Sequence, residues 1–431
     1  MSDLPTKDVP SRPWPEEMTR RCLIGFVAVA CLATGLGACG EDPEDTRRLQ
    51  ATWTASPQDY LEAIPIEGVP PPTPRSFQDQ SIRHVMRVSA GGDEVRVKVS
   101  NLYGTVPVTL GGVHIARSTG GTSIEAATDT VLRFKGQQSV TIPAGQETWS
   151  DEARFSLPAQ TDVAVTVYVP QTTPVATVHA QGQQTSAIVT GNALGSTTFT
   201  PTQTQQSYDW VMGIDVRDTE ARGVIVAFGD SITDGTASTV DTAHRYPDFL
   251  ARRVAAEPAL RGFSVVNQGI GGNRVLNDVV GTRGVERFQR DVLGTTGVTH
   301  AIILLGINDI GFGGFAPAQA VTAEALIAGL QTMVDQAKAR GVQVFLGTLL
   351  PFKGTFAPYY SPEAEAKRQA VNAWIRANTA RAQGIIDFEA ALRDPADSLL
   401  LRPAYDSGDH LHPNDAGYEA MAQAVDLSLF R

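Results

Sequence analysis

The chain has 431 residues, of which 42% are apolar and 19% are charged, so it can bury full hydrophobic cores in two or three domains without disulfide bonds. Its formal net charge of −11 makes nucleic acid an unfavourable partner, because an acidic surface repels phosphate backbones. The three cysteines, Cys22, Cys31 and Cys39, all precede residue 40, which excludes a thiol nucleophile or a cysteine zinc site from the rest of the chain.

Residues 1–39 have the pattern of a signal peptide. Arg20 and Arg21 precede an uncharged, mostly apolar stretch over residues 22–38. This stretch is shorter than the ~20 strongly apolar residues of a membrane-spanning helix. Its end, Leu36-Gly37-Ala38-Cys39, resembles a bacterial lipobox, which implies lipid attachment at Cys39. We therefore expect export, either as a bacterial cell-envelope lipoprotein or as a secreted protein, with membrane contact only through that lipid.

Residues 40–50 are predicted to be a tether because of their charge, and residues 51–215 are predicted to be a β-rich domain. Val95, Val97 and Val99 alternate with charged residues, which is the period-two pattern of a half-buried strand. Residues 163–169 repeat this alternation with valine at every second position. Paired glycines at 91–92, 111–112 and 120–121 predict turns. These patterns favour an antiparallel β-sandwich of jelly-roll type, which we expect to contribute to substrate access rather than to chemistry.

From residue 222 onward, apolar runs alternate with helical patterns, which indicates a parallel sheet covered on both faces. Five strands are predicted, over residues 224–228, 264–268, 301–305, 342–347 and 385–388. A helix with one apolar face is predicted between the third and fourth strands and ends before Gly341. Residues 222–431 are therefore predicted to form a flavodoxin-like, doubly wound α/β domain. In such domains ligands bind at the carboxyl ends of the strands.

Four short blocks of chemically active residues follow these elements. They are Gly229-Asp230-Ser231 after the first strand, Gly269-Ile270-Gly271-Gly272-Asn273 after the second, Gly306-Ile307-Asn308-Asp309 after the third, and Asp409-His410-Leu411-His412-Pro413 near the C-terminus. In this order they resemble the conserved blocks of the SGNH/GDSL hydrolases, and the resemblance covers residues 222–425. Ile232 stands where the GDSL pattern has leucine, a change that touches no catalytic atom.

The resemblance implies a serine esterase with a Ser-His-Asp triad. It makes Ser231 the nucleophile, His412 the general base and Asp409 the carboxylate that orients the base. The oxyanion hole would consist of the backbone N–H groups of Ser231 and Gly272 and the side-chain amide of Asn308. A serine hydroxyl becomes a nucleophile when an imidazole takes its proton, and a carboxylate holds that imidazole in one tautomer. The resemblance implies neither a cofactor nor a metal.

Each block also has a purely structural explanation. Ser231 could cap the following helix, and Asn308 with Asp309 could form a turn. Residues 269–272 could be a flexible loop, and Gly271 leaves the position of the oxyanion glycine ambiguous by one residue. The α/β-hydrolase fold is disfavoured because its Gly-x-Ser-x-Gly sequence does not occur in the chain.

Two histidines compete for the role of base. The Asp-x-x-His spacing from Asp409 and the following Pro413 favour His412 over His410. The other histidines have no partner pattern and are expected to be ordinary surface or core residues; they are His84, His114, His179, His244 and His300.

Longer stretches, at residues 52–57, 100–104, 370–376 and 406–412, resemble a subgroup of SGNH enzymes that pair a β-rich region with the hydrolase. This subgroup includes xylanase-associated carbohydrate esterases, so the resemblance implies an ester substrate such as an acetylated polysaccharide. Two alternatives stay open, because a fold does not determine a function. The first is a lipase, arylesterase or phospholipase that uses the same site. The second is a non-catalytic glycan-binding lipoprotein, against which the intact set of site residues argues.

Overall fold

The computed structural model describes residues 47–63 and 70–431, so the predicted signal peptide and Cys39 lie outside the described residues. The first strand, Arg48–Thr54, begins within the range predicted to be a tether. Its first three residues pair with Asp218, Arg217 and Val216. The prediction of a tether through residue 50 is therefore wrong at its end. The run of charged residues ends at position 48, and the side chain of Gln50, two positions later, is already buried.

The part of the β-rich region that the structure describes, up to residue 218, consists of short strands and one 3₁₀ turn, Ala126–Thr128. In chain order the strands β1 to β19 are Arg48–Thr54, Gln58–Asp59, Ser76–Phe77, Gln80–Arg87, Gly92–Ser100, Val108–Leu110, Gly112–Gly120, Ser123–Ile124, Thr130–Leu132, Val140–Ile142, Glu147–Trp149, Ala153–Leu157, Asp162–Val169, Thr173–Pro174, Thr177–His179, Ser186–Thr190, Gln203–Gln205, Tyr208–Asp209 and Val211–Asp218.

Two antiparallel sheets make up most of this region. The five-stranded sheet has the order β1-β19-β5-β11 with β12 also paired to β5. The seven-stranded sheet has the order β17-β16-β4-β13-β7-β8 with β9 also paired to β7. The predicted alternation is confirmed, since Val95, Val97 and Val99 on β5 are fully buried. They share one apolar core with valines of β13, so the two sheets pack face to face as a sandwich.

The α/β region, from residue 223 to the C-terminus, has the predicted five parallel strands. They are β20 Gly223–Gly229, β21 Phe263–Gly269, β22 Val298–Leu304, β23 Gln343–Gly347 and β24 Gly384–Ile386. Their spatial order is β21-β20-β22-β23-β24, which is the flavodoxin-like order. The last strand begins one residue earlier and ends two residues earlier than predicted. The Asp387 side chain accepts a hydrogen bond from the Ala390 N–H and caps a helix that begins at Phe388.

Helices cover the sheet. They are α1 Ser231–Asp234, α2 Tyr246–Ala256, α3 Gly284–Phe288, α4 Ile307–Gly311, α5 Ala323–Ala339, α6 Pro362–Arg376, α7 Phe388–Leu392 and α8 Asp415–Ala424, with a π-helical turn at Gln289–Leu293 and 3₁₀ turns at Pro258–Leu260, Phe312–Gly314, Pro317–Gln319 and Leu427–Phe430. The predicted amphipathic helix is α5, which buries Leu326, Leu330 and Met333 and ends two residues before Gly341. Among the described residues, no helix combines the length and the apolar character needed to cross a bilayer.

Strand β1 and the loop after β4 lie against β21, the outer strand of the parallel sheet. The Thr54 hydroxyl donates to the Asn267 carbonyl at 2.9 Å, and the Ser264 hydroxyl donates to the Ala51 carbonyl at 2.6 Å. The Val265 N–H donates to the Ser89 hydroxyl oxygen at 3.0 Å. The β-rich region thus covers this edge of the α/β region with specific polar contacts.

Candidate active site

Ser231 lies at the start of a one-turn helix directly after β20, the strand between β21 and β22. The side chain of Asp230 caps this helix by accepting a hydrogen bond from the Ile232 N–H at 3.1 Å. Gly235, with φ of 100°, ends the helix in the left-handed conformation that favours glycine. Because Asp230 provides the cap, the interpretation of Ser231 as a mere helix cap is wrong. The hydroxyl of Ser231 is left to contact other groups.

A continuous hydrogen-bonded chain joins Ser231 to His412 and Asp409. The Ser231 Oγ lies 2.8 Å from His412 Nε2, and His412 Nδ1 lies 2.6 Å from Asp409 Oδ2. Asp409 Oδ1 also accepts the N–H groups of Leu411 and His412. Burial alone would raise the pKa of the Asp409 carboxyl, but the hydrogen bonds from His412 and Leu411 outweigh it and hold that pKa well below its ordinary value. Asp409 is therefore ionised, and His412 carries its proton on Nδ1 when its Nε2 accepts from serine.

The second histidine of this loop has a different partner. His410 adopts a positive φ of 62°, and its Nδ1 lies 2.6 Å from Asp406 Oδ2. Its side chain is about half exposed. The structure therefore brings His412, and not His410, into hydrogen-bond contact with Ser231.

The loop after β21 contains the two adjacent candidates for the oxyanion glycine, Gly271 and Gly272. The Gly271 N–H is already used, since it donates to Asp234 Oδ2 at 2.9 Å. By contrast, the N–H groups of Gly272 and Ser231 have no hydrogen-bond partner within residues 47–63 and 70–431. Gly272 has a φ of 76°, which an L side chain rarely adopts. Of the two adjacent glycines, only Gly272 has a free donor.

Asn308 lies at the start of α4 and is buried. Its Nδ2 donates to the Asn273 carbonyl at 3.0 Å, and its Oδ1 accepts from the Tyr359 hydroxyl at 2.8 Å. Burial raises the pKa of Tyr359 well above its ordinary value, so this hydroxyl stays protonated and can donate. These two bonds fix the orientation of the amide. An amide nitrogen has two hydrogens, so one remains available on Nδ2, which is bonded to the residue that follows Gly272.

A comparison with known families decides the identity of this region. Residues 227–420 match the GDSL-like Lipase/Acylhydrolase family, and this range includes every candidate site residue described above. These residues form a GDSL-like lipase/acylhydrolase domain. The match of these residues to an acylhydrolase family supports an esterase or hydrolase activity, and this family implies ester substrates.

Two of the solved structures that are similar to this chain each cover about half of it. One is a GDSL-like lipase from Bacteroides thetaiotaomicron, with 23% identity over 48% of this chain and 88% of that chain, and a TM-score of 0.37. The other is Axe2, an acetylxylan esterase from Geobacillus stearothermophilus, with 24% identity over 47% of this chain and 92% of that chain, and a TM-score of 0.37. No curated protein sequence matches the chain significantly.

Two charged residues that the sequence analysis did not select support the loops of the GDSL domain. Asp309 accepts the N–H groups of Val275 and Leu276 at 2.6 and 3.0 Å, and burial raises its pKa to about 6. Arg287 is fully buried. It donates to the Asn273 side chain, to the carbonyl of Gln268 near the end of β21, and to the carbonyl of Gly229 at the end of β20. Asp309 follows Asn308 in its block, whereas nothing in the sequence around Arg287 signals its role.

Tyr359 belongs to a cluster of aromatic rings next to Asn308. Its ring contacts those of Phe312 and Phe356, with centroid separations of 6.3 and 5.3 Å. Phe356 is 58% exposed and lies 5.8 Å from Phe315. We call Phe315, Phe356 and Tyr359 the aromatic patch. Among the described residues, no group of three or more His, Cys, Asp or Glu side chains is arranged to hold a metal ion.

Proposed function

We propose that the chain is a serine esterase that forms an acyl-enzyme on Ser231. The observation that carries this proposal is the hydrogen-bonded chain from Asp409 through His412 to Ser231. As Ser231 Oγ attacks the ester carbonyl carbon, His412 Nε2 takes the hydroxyl proton, and it then returns this proton to the departing alcohol. Water next attacks the acyl-serine, His412 accepts a proton from it, and the carboxylic acid is released as Ser231 is regenerated.

The free donors around Ser231 fit the second requirement of this reaction. The carbonyl oxygen becomes negative in the tetrahedral intermediate and needs hydrogen bonds that are in place before the reaction. The Ser231 and Gly272 N–H groups and the remaining Asn308 amide hydrogen are the donors we assign to it. One such donor contributes ~10²–10³ in rate in other hydrolases.

For the substrate, we propose short acyl groups on carbohydrate. Support comes from the sequence stretches that resemble carbohydrate esterases and from Phe356, the exposed ring of the aromatic patch, because an exposed aromatic ring packs well on the apolar face of a sugar. The same patch favours a second candidate, a lipase, since Phe356 could equally pack against a long acyl chain. A series of nitrophenyl esters from acetate to palmitate separates the two, followed by measurement of acetate released from acetylated xylan. If the protein hydrolyses neither the nitrophenyl esters nor acetylated xylan, the glycan-binding alternative is favoured.

The nucleophile is tested by Ser231→Ala. We expect this variant to lose both esterase activity and labelling by a fluorophosphonate, which reacts only with an activated serine. The control is Ser238→Ala, seven positions downstream. Ser238 is also buried, and its hydroxyl has no hydrogen-bond partner among the described residues. Ser238→Ala should keep both properties. Labelling of Ser231→Ala at a different serine would contradict the assignment.

We also propose, from the sequence alone, that the chain is exported and lipidated at Cys39. Cells fed a labelled fatty acid should incorporate the label into the wild-type chain and into Cys31→Ala, but not into Cys39→Ala. Label retained in Cys39→Ala would refute lipidation at this residue and would favour a secreted product.

A further inference from the structure

A buried histidine of the β-rich region reaches into the GDSL domain. His179 is the last residue of β15 and is only 3% exposed. Its Nε2 lies 2.9 Å from Asp234 Oδ1, and its Nδ1 lies 3.0 Å from the Ser56 carbonyl oxygen. It is thus a core residue, as expected, but it has a charged partner that the sequence did not reveal.

The two partners determine the protonation state of this ring. A carbonyl oxygen and a carboxylate oxygen both accept hydrogen bonds, so both ring nitrogens must carry hydrogen. Burial alone would lower the pKa of His179, but the Asp234 carboxylate outweighs burial and raises that pKa above its ordinary value, against a small opposing effect of Arg245. The ring of His179 also stacks on the ring of Tyr208, with centroids 6.3 Å apart. His179 and Asp234 therefore form a buried ion pair.

Asp234 connects this contact to the loop after β21, which carries Gly271 and Gly272. It is the last residue of α1, the helix that begins with Ser231, and its Oδ2 accepts the Gly271 N–H. A second side chain from the β-rich region lies on the same loop. Gln181 accepts a hydrogen bond from the Thr236 hydroxyl, and a Cβ atom at Gly271 would come within 2.6 Å of its Oε1.

We propose that His179 is a positioning residue for the oxyanion hole. Its protonated ring holds Asp234 in place, Asp234 fixes Gly271, and the N–H of the next residue, Gly272, is thereby aimed at the developing oxyanion. The β-rich region is then part of the catalytic apparatus and not only of substrate access. This proposal rests on the proposed esterase function.

The role predicts a specific kinetic effect. The Gly272 N–H bonds more strongly to the oxyanion than to the ground-state ester, so a displaced Gly272 lowers kcat and leaves KM nearly unchanged. The donor would be displaced and not removed. We therefore expect kcat to fall by ~10- to 100-fold, which is less than the fall expected when a donor is removed completely. A boronic acid, which forms a tetrahedral adduct on Ser231, should bind more weakly by a similar factor.

The experiment compares His179→Gln with a matched control, His84→Gln. His84 is also fully buried in the β-rich region and contacts the same Tyr208 ring, but it bonds to the Ser186 hydroxyl and to the Asp209 N–H. Burial lowers the pKa of His84 to about 3, so this ring is neutral. On nitrophenyl acetate, His179→Gln should show the kcat loss at unchanged KM, while His84→Gln should stay within about twofold of wild-type kcat.

A pH profile provides an independent readout. A neutral imidazole has one hydrogen and cannot donate to both Asp234 and Ser56. Since the protonated form is the competent one, wild-type kcat should fall as pH rises through the pKa of His179, and this alkaline decline should be absent from His179→Gln. Asp234→Asn, which removes the charge but keeps the side-chain shape, should lower kcat and move the decline to lower pH. Asp234→Asn also tests the proposal if His179→Gln fails to fold.

The outcomes are distinct. Wild-type kcat in both His179→Gln and Asp234→Asn, or an equal kcat loss in His84→Gln, would overturn the positioning role. A higher KM at normal kcat would assign His179 to substrate access instead, and would also overturn it. If Ser231→Ala remains active, the esterase assignment itself fails, whatever the histidine variants show.

Discussion

The β-rich region and the GDSL domain differ in where they keep their buried polar side chains. In the GDSL domain, three buried polar residues follow the carboxyl ends of adjacent parallel strands, and these ends lie on the same side of the sheet. They are Ser231, Asn273 and Asn308. In the β-rich region, the buried Arg83 instead bonds to Thr166 and to two backbone carbonyls within the same region. Parallel strands all end on one side, so their polar ends converge, whereas an antiparallel sandwich distributes its strand ends to both sides. The first arrangement suits chemistry, whereas the bonds of Arg83 serve the stability of its own region.

The largest loss of activity is expected when the general base, His412, is replaced. His412→Ala should lower kcat by at least ~10³, because it removes a member of the triad. His410→Ala, in the same loop but bonded to Asp406, should cost far less. Measurement of kcat for both on a short-chain ester decides the matter. Near-normal turnover without His412 would refute its role and point to His410.

A smaller effect is expected at the amide donor. Asn308→Ala should lower kcat by ~10²–10³ with little change in KM, since it removes a bond that forms fully only in the transition state. Tyr359→Phe keeps the ring and removes only the hydroxyl that orients Asn308, so its kcat loss should be smaller, ~3- to 10-fold. Steady-state kinetics would contradict this order if Tyr359→Phe were the more damaging change.

The smallest effect on activity is expected in the β-rich core. Arg83→Met leaves the part-buried carbonyls of Thr122 and Ser196 without their partner, so the free energy of unfolding should fall by about 2–4 kcal/mol. Arg117→Met is the control, because it breaks only a partly exposed pair with Glu125 and should cost less than ~1 kcal/mol. Denaturant unfolding measures both, and kcat of the folded proteins should be unchanged. A large kcat loss in Arg83→Met would erase the contrast between the two regions.

The elements of the fold were predictable where local pattern decides them. Period-two valines gave the strand of residues 92–100, and short apolar runs gave all five parallel strands to within a few residues. Boundaries failed where a side chain intervened, as at Asp387, whose capping bond starts a helix in place of the last strand residue. The four blocks could be found because each directly follows its strand or lies in one short loop.

The residues that support the site could not be found in this way. Tyr359 lies 51 positions from the Asn308 it orients, and His179 lies 55 positions from Asp234. No spacing rule relates such partners, since the folded chain and not the local sequence brings them together. The flanking residues of His179 are those of any buried strand, so its charge partner becomes visible only in three dimensions.

The contacts of Thr54 and Ser89 with β21 have a consequence for handling the protein. An uncovered outer strand offers unpaired backbone groups to other chains and promotes aggregation. Here those two side chains bond to the Asn267 carbonyl and the Val265 N–H of that strand. A shortened chain beginning at residue 222 would contain Ser231, Gly272, Asn308, Asp409 and His412, yet it would expose this strand. We expect such a chain to precipitate during expression, so the solubility of the enzyme depends on the region that precedes its nucleophile.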